Sequence, residues 1–426
     1  MKACLEYGEP FLYNNGLFYL FMKSNEYCFS YNELFAAYED CIENKKNTSN
    51  AMAFSANYIE NVIALCDDIN NGTYKIGKSI AFVVRFPVYR EVFAADFRDR
   101  VVHHLIINEL MPYFEKEFID ESFSCMDGKG VFYGVDTIYR YIKECTNGYT
   151  EDAWILKMDI KSFFMSIVKE KLANMVDDFI ARVYPDDNIK KKNKLRELFR
   201  MVIMHHPELN CERRGDLTLW DKLEYSKSLF NVGSEKGLPI GNLTSQILAN
   251  FYLSKLDKFI KYELGFQYYG RYVDDFVIIC KDKQRLLDAV PLIVDFAKRE
   301  LSLTIHPNKR YVQHYKNGVR FIGGILKENR FYILNRTKGS LYYKLSTKFA
   351  KPSERKLDKL IMTVNSYLGF MRHYNSYNLR KKILTKQGLL DNWSDLIVID
   401  KRYRKITRKN KNKQKIGNIA EEFIVD

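Results

Sequence analysis

The N-terminal region carries a helical pattern of apolar residues. Between residues 31 and 70, apolar positions recur at helical spacing among polar ones, and a turn at Gly72 ends the pattern. Residues 80–92 are rich in Val, Phe and Ile, which predicts a strand. A second helical pattern covers residues 99–110. This region is therefore predicted to consist of helices around one extended segment.

A strand that runs into a helix is predicted in the middle of the chain. Residues 154–159 alternate between apolar and polar positions and end in a carboxylate. Residues 172–180 then form one apolar stripe at helical spacing. Residues 184–232 are charged and irregular, so we interpret them as an insertion with some helix.

A hairpin with two acids at its tip is predicted further along. An amphipathic helix is indicated over residues 244–260, and two short apolar strands follow at 268–272 and 276–280. Asp274 and Asp275 lie between these strands. The hairpin would therefore hold both carboxylates on a rigid element rather than on a loose loop.

The C-terminal part is predicted to be helical and then strongly basic. Residues 357–371 carry a helical stripe, whereas residues 401–416 contain nine Lys or Arg and no acid. This tail is interpreted either as an electrostatic arm or as a disordered, solubilising end. As an arm, it would contact nucleic acid through the cationic side chains Lys401, Arg402, Arg404 and Lys405.

Charge and composition narrow the choice of partner and compartment. The chain has 426 residues, is 46% hydrophobic and has a formal net charge of +14, which favours an anionic partner. Nucleic acid, an acidic membrane surface and simple solubility all remain open on charge alone. No apolar run approaches the ~20 residues of a membrane span, no signal pattern precedes Pro10, and the eight cysteines are scattered. A cytoplasmic protein with free thiols and no membrane contact is expected.

Three carboxylates suggest metal-dependent phosphoryl transfer. Asp274 and Asp275 would repel one another and raise each other's pKa unless a cation neutralised them, although aspartates at a turn also serve simply as turn formers. Asp159 supplies a third acid at the end of its predicted strand. Three such carboxylates can bind two Mg²⁺ ions about 4 Å apart for phosphoryl transfer, with Mn²⁺ as an alternative.

Two segments resemble the catalytic boxes of reverse transcriptases. Tyr272-Val273-Asp274-Asp275 is similar to their Tyr-x-Asp-Asp box, and Met158 to Phe164 resembles their first catalytic box. The resemblance implies an α+β right-hand polymerase with fingers, an antiparallel-sheet palm and a helical thumb. The implied divisions are an N-terminal helical region with the start of the fingers (1–84), fingers (85–153), palm (154–335, with the insertion near 184–232), thumb (336–400) and basic tail (401–426).

The same resemblance assigns roles to single residues. Asp159, Asp274 and the weaker Asp275 would bind the metals, together with the Ile160 carbonyl. Phe164 would close over the sugar 2′ position, although a plain core phenylalanine is the alternative. The implied phosphate and nucleic-acid contacts are Arg90 at the triphosphate, Lys309 at pyrophosphate and Lys129, between two glycines, at the nucleic-acid backbone. For Lys129, a simple turn without a ligand is the alternative.

The most diagnostic box runs from Gly237 to Gln246. Many reverse transcriptases have glutamine before the second glycine, where it helps hold the incoming nucleotide, whereas this chain has Ile240 before Gly241, with Gln246 at the helix start. The resemblance therefore implies that Ile240, Gly241 and Gln246 contact the incoming nucleotide. This pattern is similar to the reverse transcriptases of diversity-generating retroelements. Such enzymes copy a template RNA with errors at adenine, use a primer and deoxynucleotides, and work with a small basic accessory protein.

Other interpretations remain open on the sequence. Retron-like and phage-defence reverse transcriptases share the catalytic boxes, and an inactive RNA-binding scaffold would retain the same fold. The presence of all three metal carboxylates favours the enzyme. The pairs His103-His104 and His205-His206 lack Cys or Asp at ligand spacing, so we expect them to be packed or solvated rather than zinc-binding. We also expect no endonuclease or maturase-like extension after the thumb.

Overall fold

The computed structural model describes residues 27–409, apart from residues 44, 47, 86–87 and 387–389. Residues 86–87, in the range predicted as fingers, and the tail beyond residue 409 therefore lie outside the described residues. The chain divides into two compact units: the first takes the residues up to Asp127 with Asp159–Gly265 and Val290–Pro307, and the second takes the rest. Within the described ranges, no helix is long and apolar enough to cross a membrane.

The first unit is mainly helical. Its helices are α1 (Tyr31–Ile42), α2 (Ser49–Ala56), α3 (Tyr58–Asn71), α4 (Phe97–Glu117), α6 (Phe163–Ser166), α7 (Lys169–Val183), α8 (Ile189–Met204) and α9 (Leu243–Lys258). Its strands are β1 (Ser79–Val84), β2 (Arg90–Ala94) and β4 (Cys211–Arg213). The unit also contains the later part of α10 (Lys283–Leu301).

Local sequence sets several of these boundaries. Ser30 and Glu33 form a capping box that starts α1. Gly72 ends α3 in the left-handed conformation, with φ 75°, as the predicted turn requires. In the core, the Phe114 ring stacks on Phe179 with 5.1 Å between ring centroids. The predicted helices of the N-terminal region are thus confirmed, with breaks between α1, α2 and α3.

The prediction of a single strand over residues 80–92 is wrong in one respect. It is two strands, β1 and β2, which pair antiparallel with Ile80 opposite Ala94. The segment predicted as an insertion with some helix adds β4, which pairs parallel with β1 and places Cys211 opposite Ser79. It also supplies the full-length helix α8. Residues 184–232 are therefore built into the fold of the first unit.

The second unit holds the central antiparallel sheet and the C-terminal helices. Its helices are α5 (Val131–Cys145), α11 (Asn335–Thr347), α12 (Glu354–Met371) and α13 (Tyr377–Lys381). Its strands are β3 (Trp154–Asp159), whose last residue is counted with the first unit, β5 (Tyr268–Tyr272), β6 (Asp275–Cys280), β7 (Tyr311–His314), β8 (Val319–Phe321), β9 (Gly324–Lys327), β10 (Arg330–Ile333), β11 (Ile397–Ile399) and β12 (Ile406–Arg408).

One four-stranded sheet carries the predicted acids. Its strand order is β5-β6-β3-β7, so β6 lies between β5 and β3. Phe276 to Ile279 of β6 are all buried, which explains the continuous apolar run in the sequence. The predicted α+β class, with an antiparallel sheet and helical packing, is confirmed.

The start of the basic tail is folded. Ile406 of β12 is fully buried in the C-terminal core and pairs opposite Ile399 of β11. Lys401, Arg402, Arg404 and Lys405 are exposed around this hairpin. The interpretation of the whole segment from 401 as a disordered end is therefore wrong for residues 401–409.

Candidate active site

The hairpin tip displays Asp274 and Asp275 as predicted. Tyr272 and Asp275 are opposite one another at the end of the β5–β6 ladder, so Val273 and Asp274 form a two-residue turn. Val273 has a φ of 56°, a conformation that β-branched residues rarely adopt. Such strain persists only where the surrounding structure holds it, and it is concentrated at functional sites.

A lysine from the neighbouring strand contacts the second acid. Lys157 of β3 donates a hydrogen bond from Nζ to Asp275 Oδ2 over 2.9 Å. Both side chains are largely withdrawn from solvent, with 14% and 24% exposure. The same ammonium donates to the Arg320 carbonyl. Burial raises the pKa of Tyr311 on β7, and the charge of Asp275 adds to this effect.

The end of β3 is held by backbone contacts. Asp159 is the last residue of the strand, and its carbonyl accepts a hydrogen bond from the His306 amide over 2.7 Å. Ile160 is fully buried and forms a bridge with Ile305. Ser162 then adopts the left-handed conformation with φ 47°. The strand bearing Asp159 and the hairpin bearing Asp275 are neighbours in one sheet.

The donor set suits magnesium, because hard divalent ions prefer carboxylate and carbonyl oxygens. Asp159, Asp274 and Asp275 are all partly exposed as residues, but Oδ1 of Asp275 is buried and its Oδ2 accepts the hydrogen bond from Lys157. In the part of the chain that the structure describes, however, no group of three or more acidic, His or Cys side chains forms a ready-made metal site. The residues therefore fit Mg²⁺ by chemistry and exposure rather than by a preformed cage.

The strand β2 presents Arg90 to solvent. Arg90 is its first residue and is exposed, whereas the next residue, Glu91, is 1% exposed. Successive side chains of a strand point to opposite faces, so the side chains of Arg90 and Glu91 lie on opposite faces of β2. An exposed guanidinium is free to bind phosphate oxygens in a bidentate manner.

The box around Gly241 is fastened to β2. The Phe93 amide donates to the Ile240 carbonyl over 2.8 Å, and the Ala95 amide donates to Asn242 Oδ1 over 3.2 Å. Gly241 has a φ of 125°, and a Cβ there would lie 2.8 Å from the Phe93 carbonyl oxygen. Glycine is required at this position for both backbone conformation and space.

Two predicted nucleotide contacts share one apolar cluster. The side chains of Phe164 and Ile240 are partly buried against the same group of core residues. That group comprises Ala81, Phe93, Met165 and Leu229. The structure thus packs Phe164, the residue predicted to face the sugar, and Ile240 against the same core residues.

Gln246 and a small cavity lie at the start of α9. The cavity has a volume of about 220 Å³ and is lined in part by Arg100, His103 and Gln246. Burial lowers the pKa of His103 to about 3, so this side chain is neutral at physiological pH. The two histidine pairs are expected to be packed or solvated, and His103 of the first pair is packed, with 5% exposure.

The remaining predicted contacts lie on loops. Lys129 is half-buried between two glycines with positive φ, at 67° and 148°. Lys309 is exposed and ends a 3₁₀ turn that begins at Pro307. Neither position is held in a strand or a long helix.

Sequence reasoning missed Lys157 and Glu91. Lys157 lies two residues before Asp159 in an alternating strand and so shares its face of the sheet, which could have marked it. Glu91 directly follows the predicted phosphate-binding arginine but gave no signal of burial. Their partners are 118 and 129 residues away along the chain, so local pattern could not identify the contacts.

Comparison with known proteins gives a consistent family match. The profile of the family described as reverse transcriptase (RNA-dependent DNA polymerase) matches residues 88–326, more than half of the chain. Protein YkfC of Escherichia coli (strain K12) is 21% identical over 268 residues, which are 55% of this chain and 62% of that protein. Nuclear intron maturase 1, mitochondrial, of Arabidopsis thaliana is 21% identical over 309 residues, 57% of this chain and 42% of that protein. The chain thus spans less than two thirds of either relative.

Solved structures align over much of the chain. Telomerase from Candida albicans in complex with the TWJ fragment of telomeric RNA aligns with 74% of this chain and 55% of its own, at 12% identity and a TM-score of 0.42. Apo telomerase from Candida tropicalis, truncated from its C-terminal domain, aligns with 61% of this chain and 55% of its own, at 12% identity and a TM-score of 0.41.

Proposed function

Because the chain belongs to the reverse transcriptase (RNA-dependent DNA polymerase) family, we propose that it is an RNA-directed DNA polymerase that adds deoxynucleotides to a primer 3′-hydroxyl. One observation carries this proposal. A hairpin turn exposes Asp274 and Asp275, and the strand that ends at Asp159 belongs to the same sheet. This donor set is the one that two-metal phosphoryl transfer requires.

Each acid has a distinct part in the proposed chemistry. Two bound Mg²⁺ ions would stabilise the attacking 3′-oxygen and the leaving pyrophosphate. Asp159 and Asp274 would hold both ions, and the Ile160 carbonyl would complete one coordination sphere. Asp275 already accepts a hydrogen bond from Lys157, so part of its charge is neutralised and it would contribute less to metal binding.

The fingers residues would bind the incoming nucleotide. Arg90 would hold the triphosphate, and Phe164, Ile240 and Gly241 would face the sugar and base, with Gln246 nearby. Lys309 would act at the leaving pyrophosphate. Lys129 and the exposed cations from Lys401 to Lys405 would contact the nucleic-acid backbone, where affinity depends strongly on salt.

The direct test is primer extension by the purified protein. A defined RNA template, a DNA primer, deoxynucleotides and Mg²⁺ should yield full-length DNA, and the same reaction without template should yield none. Extension without a template would instead favour a defence-type enzyme that makes untemplated DNA. Binding of RNA with no extension at any metal concentration would favour the inactive scaffold.

We further propose that the enzyme belongs to the diversity-generating type. The supporting feature is Ile240, whose side chain packs against the apolar cluster and cannot donate or accept a hydrogen bond. Such an enzyme would copy adenine with errors and work with a small basic accessory protein. Retron-like and phage-defence enzymes are the alternatives.

Ile240→Gln should change the error spectrum. One hydrogen bond restored to the incoming nucleotide contributes about 0.5 to 1.5 kcal/mol, which corresponds to roughly 2- to 10-fold better discrimination between right and wrong pairs. The measurement is sequencing of cDNA copied from one RNA by wild type and variant, with substitutions counted at each template base. A wild-type spectrum without excess at adenine would contradict the subfamily proposal. An adenine excess that persists in the variant would show that Ile240 only packs.

Phe164→Ala should admit ribonucleotides. Removing the ring opens the space that a ribose 2′-hydroxyl needs, so the ratio of deoxynucleotide to ribonucleotide kcat/KM should fall by about tenfold or more. Single-nucleotide incorporation with matched dNTP and rNTP measures this ratio. The matched control is Phe163→Ala, because Phe163 is 2% exposed and would lose core packing without facing the sugar. Equal sugar discrimination in wild type and Phe164→Ala would show that Phe164 is only a core residue.

A further inference from the structure

A buried carboxylate in the fingers binds a distant segment of the chain. Glu91 accepts hydrogen bonds from Trp220 Nε1 over 2.7 Å, from Ser228 Oγ over 2.8 Å and from the Leu229 amide over 2.6 Å. All three donors belong to residues 217–231, a run of three short 3₁₀ turns that we call the 217–231 segment. Both carboxylate oxygens are used.

A carboxylate is specifically suited to this position. A buried charge is tolerated only when it is well hydrogen-bonded, and three donors converging on two oxygens satisfy it. A glutamine of the same size would turn an NH₂ group toward donors that need an acceptor. The site therefore selects glutamate over its neutral isostere.

The segment held by Glu91 also supports the nucleotide-facing residues. Leu229 is 2% exposed and is part of the apolar cluster against which Phe164 and Ile240 pack. Phe230 packs on the same cluster, and its outer face is covered by the Arg213 guanidinium 3.9 Å from the ring centroid. If the 217–231 segment moved, the cluster against which Phe164 and Ile240 pack would therefore move with it.

The strand that bears Glu91 carries Arg90 on its other face. Glu91 holds β2 to the segment, and the Phe93 amide holds β2 to the Ile240 carbonyl. The strand is thus fixed on two sides at positions next to the candidate triphosphate contact. Loss of either attachment would leave the direction of Arg90 less well defined.

We propose that Glu91 is a positioning residue for the incoming nucleotide, which acts by holding the 217–231 segment under Phe164 and Ile240. The inference rests on the proposed polymerase function. It assigns to part of the predicted insertion at 184–232 a role in nucleotide affinity and sugar selectivity. Trp220 is part of this support, because its indole N–H donates to Glu91.

The test compares Glu91→Gln with wild type and with Glu170→Gln. Glu170 is 52% exposed and pairs with Arg200 on the surface, so the control makes the same chemical change without burial. In Glu91→Gln, the KM for deoxynucleotide should rise by about tenfold while kcat stays within about threefold. The preference for dNTP over rNTP should fall in parallel. The control should match wild type in all three quantities.

Hydrogen–deuterium exchange supplies a readout that does not depend on activity. Amides of the 217–231 segment should exchange faster in Glu91→Gln, whereas those of α9 should not. Ser228→Ala removes one donor only and should give a smaller rise in KM, which keeps the inference testable if Glu91→Gln folds poorly.

The outcomes separate the two proposals. Failure of wild type to extend a primer would overturn the proposed function, while exchange would still decide whether Glu91 holds the segment. An active wild type with unchanged KM in both variants would overturn the positioning role. A loss of kcat without a rise in KM, in proportion to a fall in thermal stability, would also overturn the positioning role.

Discussion

Asp274→Asn is expected to abolish Mg²⁺-dependent primer extension, with a loss of about three orders of magnitude or more. The neutral amide removes a charge that holds two divalent ions at the hairpin tip. A thousandfold loss corresponds to about 4 kcal/mol of transition-state stabilisation. Single-turnover extension over a range of Mg²⁺ concentrations measures the effect, and excess metal should restore little of it.

The control for this variant is Asp288→Asn. Asp288 is exposed on α10 and accepts a hydrogen bond from Gln284, a contact that asparagine can also make. Its extension rate and metal dependence should match wild type. An Asp274→Asn protein with wild-type rates would refute the assignment of the hairpin acids to metal binding. Equal losses in both variants would point to general destabilisation.

Gly241→Ala is expected to have the second largest effect. A Cβ at this residue would lie 2.7 Å from Val92 Cγ1 and 2.8 Å from the Phe93 carbonyl oxygen, at a φ of 125° that alanine rarely adopts. Strain and backbone displacement together should lower the free energy of unfolding by about 3 kcal/mol. The Ile240 carbonyl would shift away from the Phe93 amide, so the KM for deoxynucleotide should rise by about tenfold or more.

Gly339→Ala is the matched control for this substitution. Gly339 lies inside α11 with nothing within 4 Å of the added Cβ, so alanine should leave stability unchanged or raise it by up to about 1 kcal/mol. Denaturant unfolding and deoxynucleotide titration of both variants supply the comparison. A Gly241→Ala protein as stable and as active as Gly339→Ala would show that the segment from Gly237 to Gln246 tolerates the added Cβ without loss.

The strands of the candidate site were predictable from local pattern. The predicted strand at 154–159 is β3, and the predicted hairpin strands are β5 and β6, with β6 starting one residue earlier than expected. Alternation and continuous apolar runs arise from side-chain geometry within one strand. They therefore locate a strand without knowledge of its neighbours.

Other features were outside the reach of local pattern. Local pattern predicts one strand where the structure has the two strands β1 and β2, because apolar residues continue from one strand toward the next. Residues 184–232 look irregular in sequence because part of the segment pairs with a distant strand, as where Cys211 of β4 lies opposite Ser79 of β1. The folded start of the tail contains one buried apolar residue, Ile406, and is held by contacts with distant residues, such as the hydrogen bond from the Ile406 amide to Asn365 Oδ1.

The sequence by itself determined the identity of the three acids, the strands and hairpin that carry them, and the resemblance to reverse transcriptases. Tertiary structure alone decided that Lys157 contacts Asp275 and that Glu91 holds the 217–231 segment. The reason is physical. Periodicity records the conformation of neighbouring residues, whereas a contact between residues more than a hundred positions apart depends on the order of strands in a sheet and on which buried charge needs a partner.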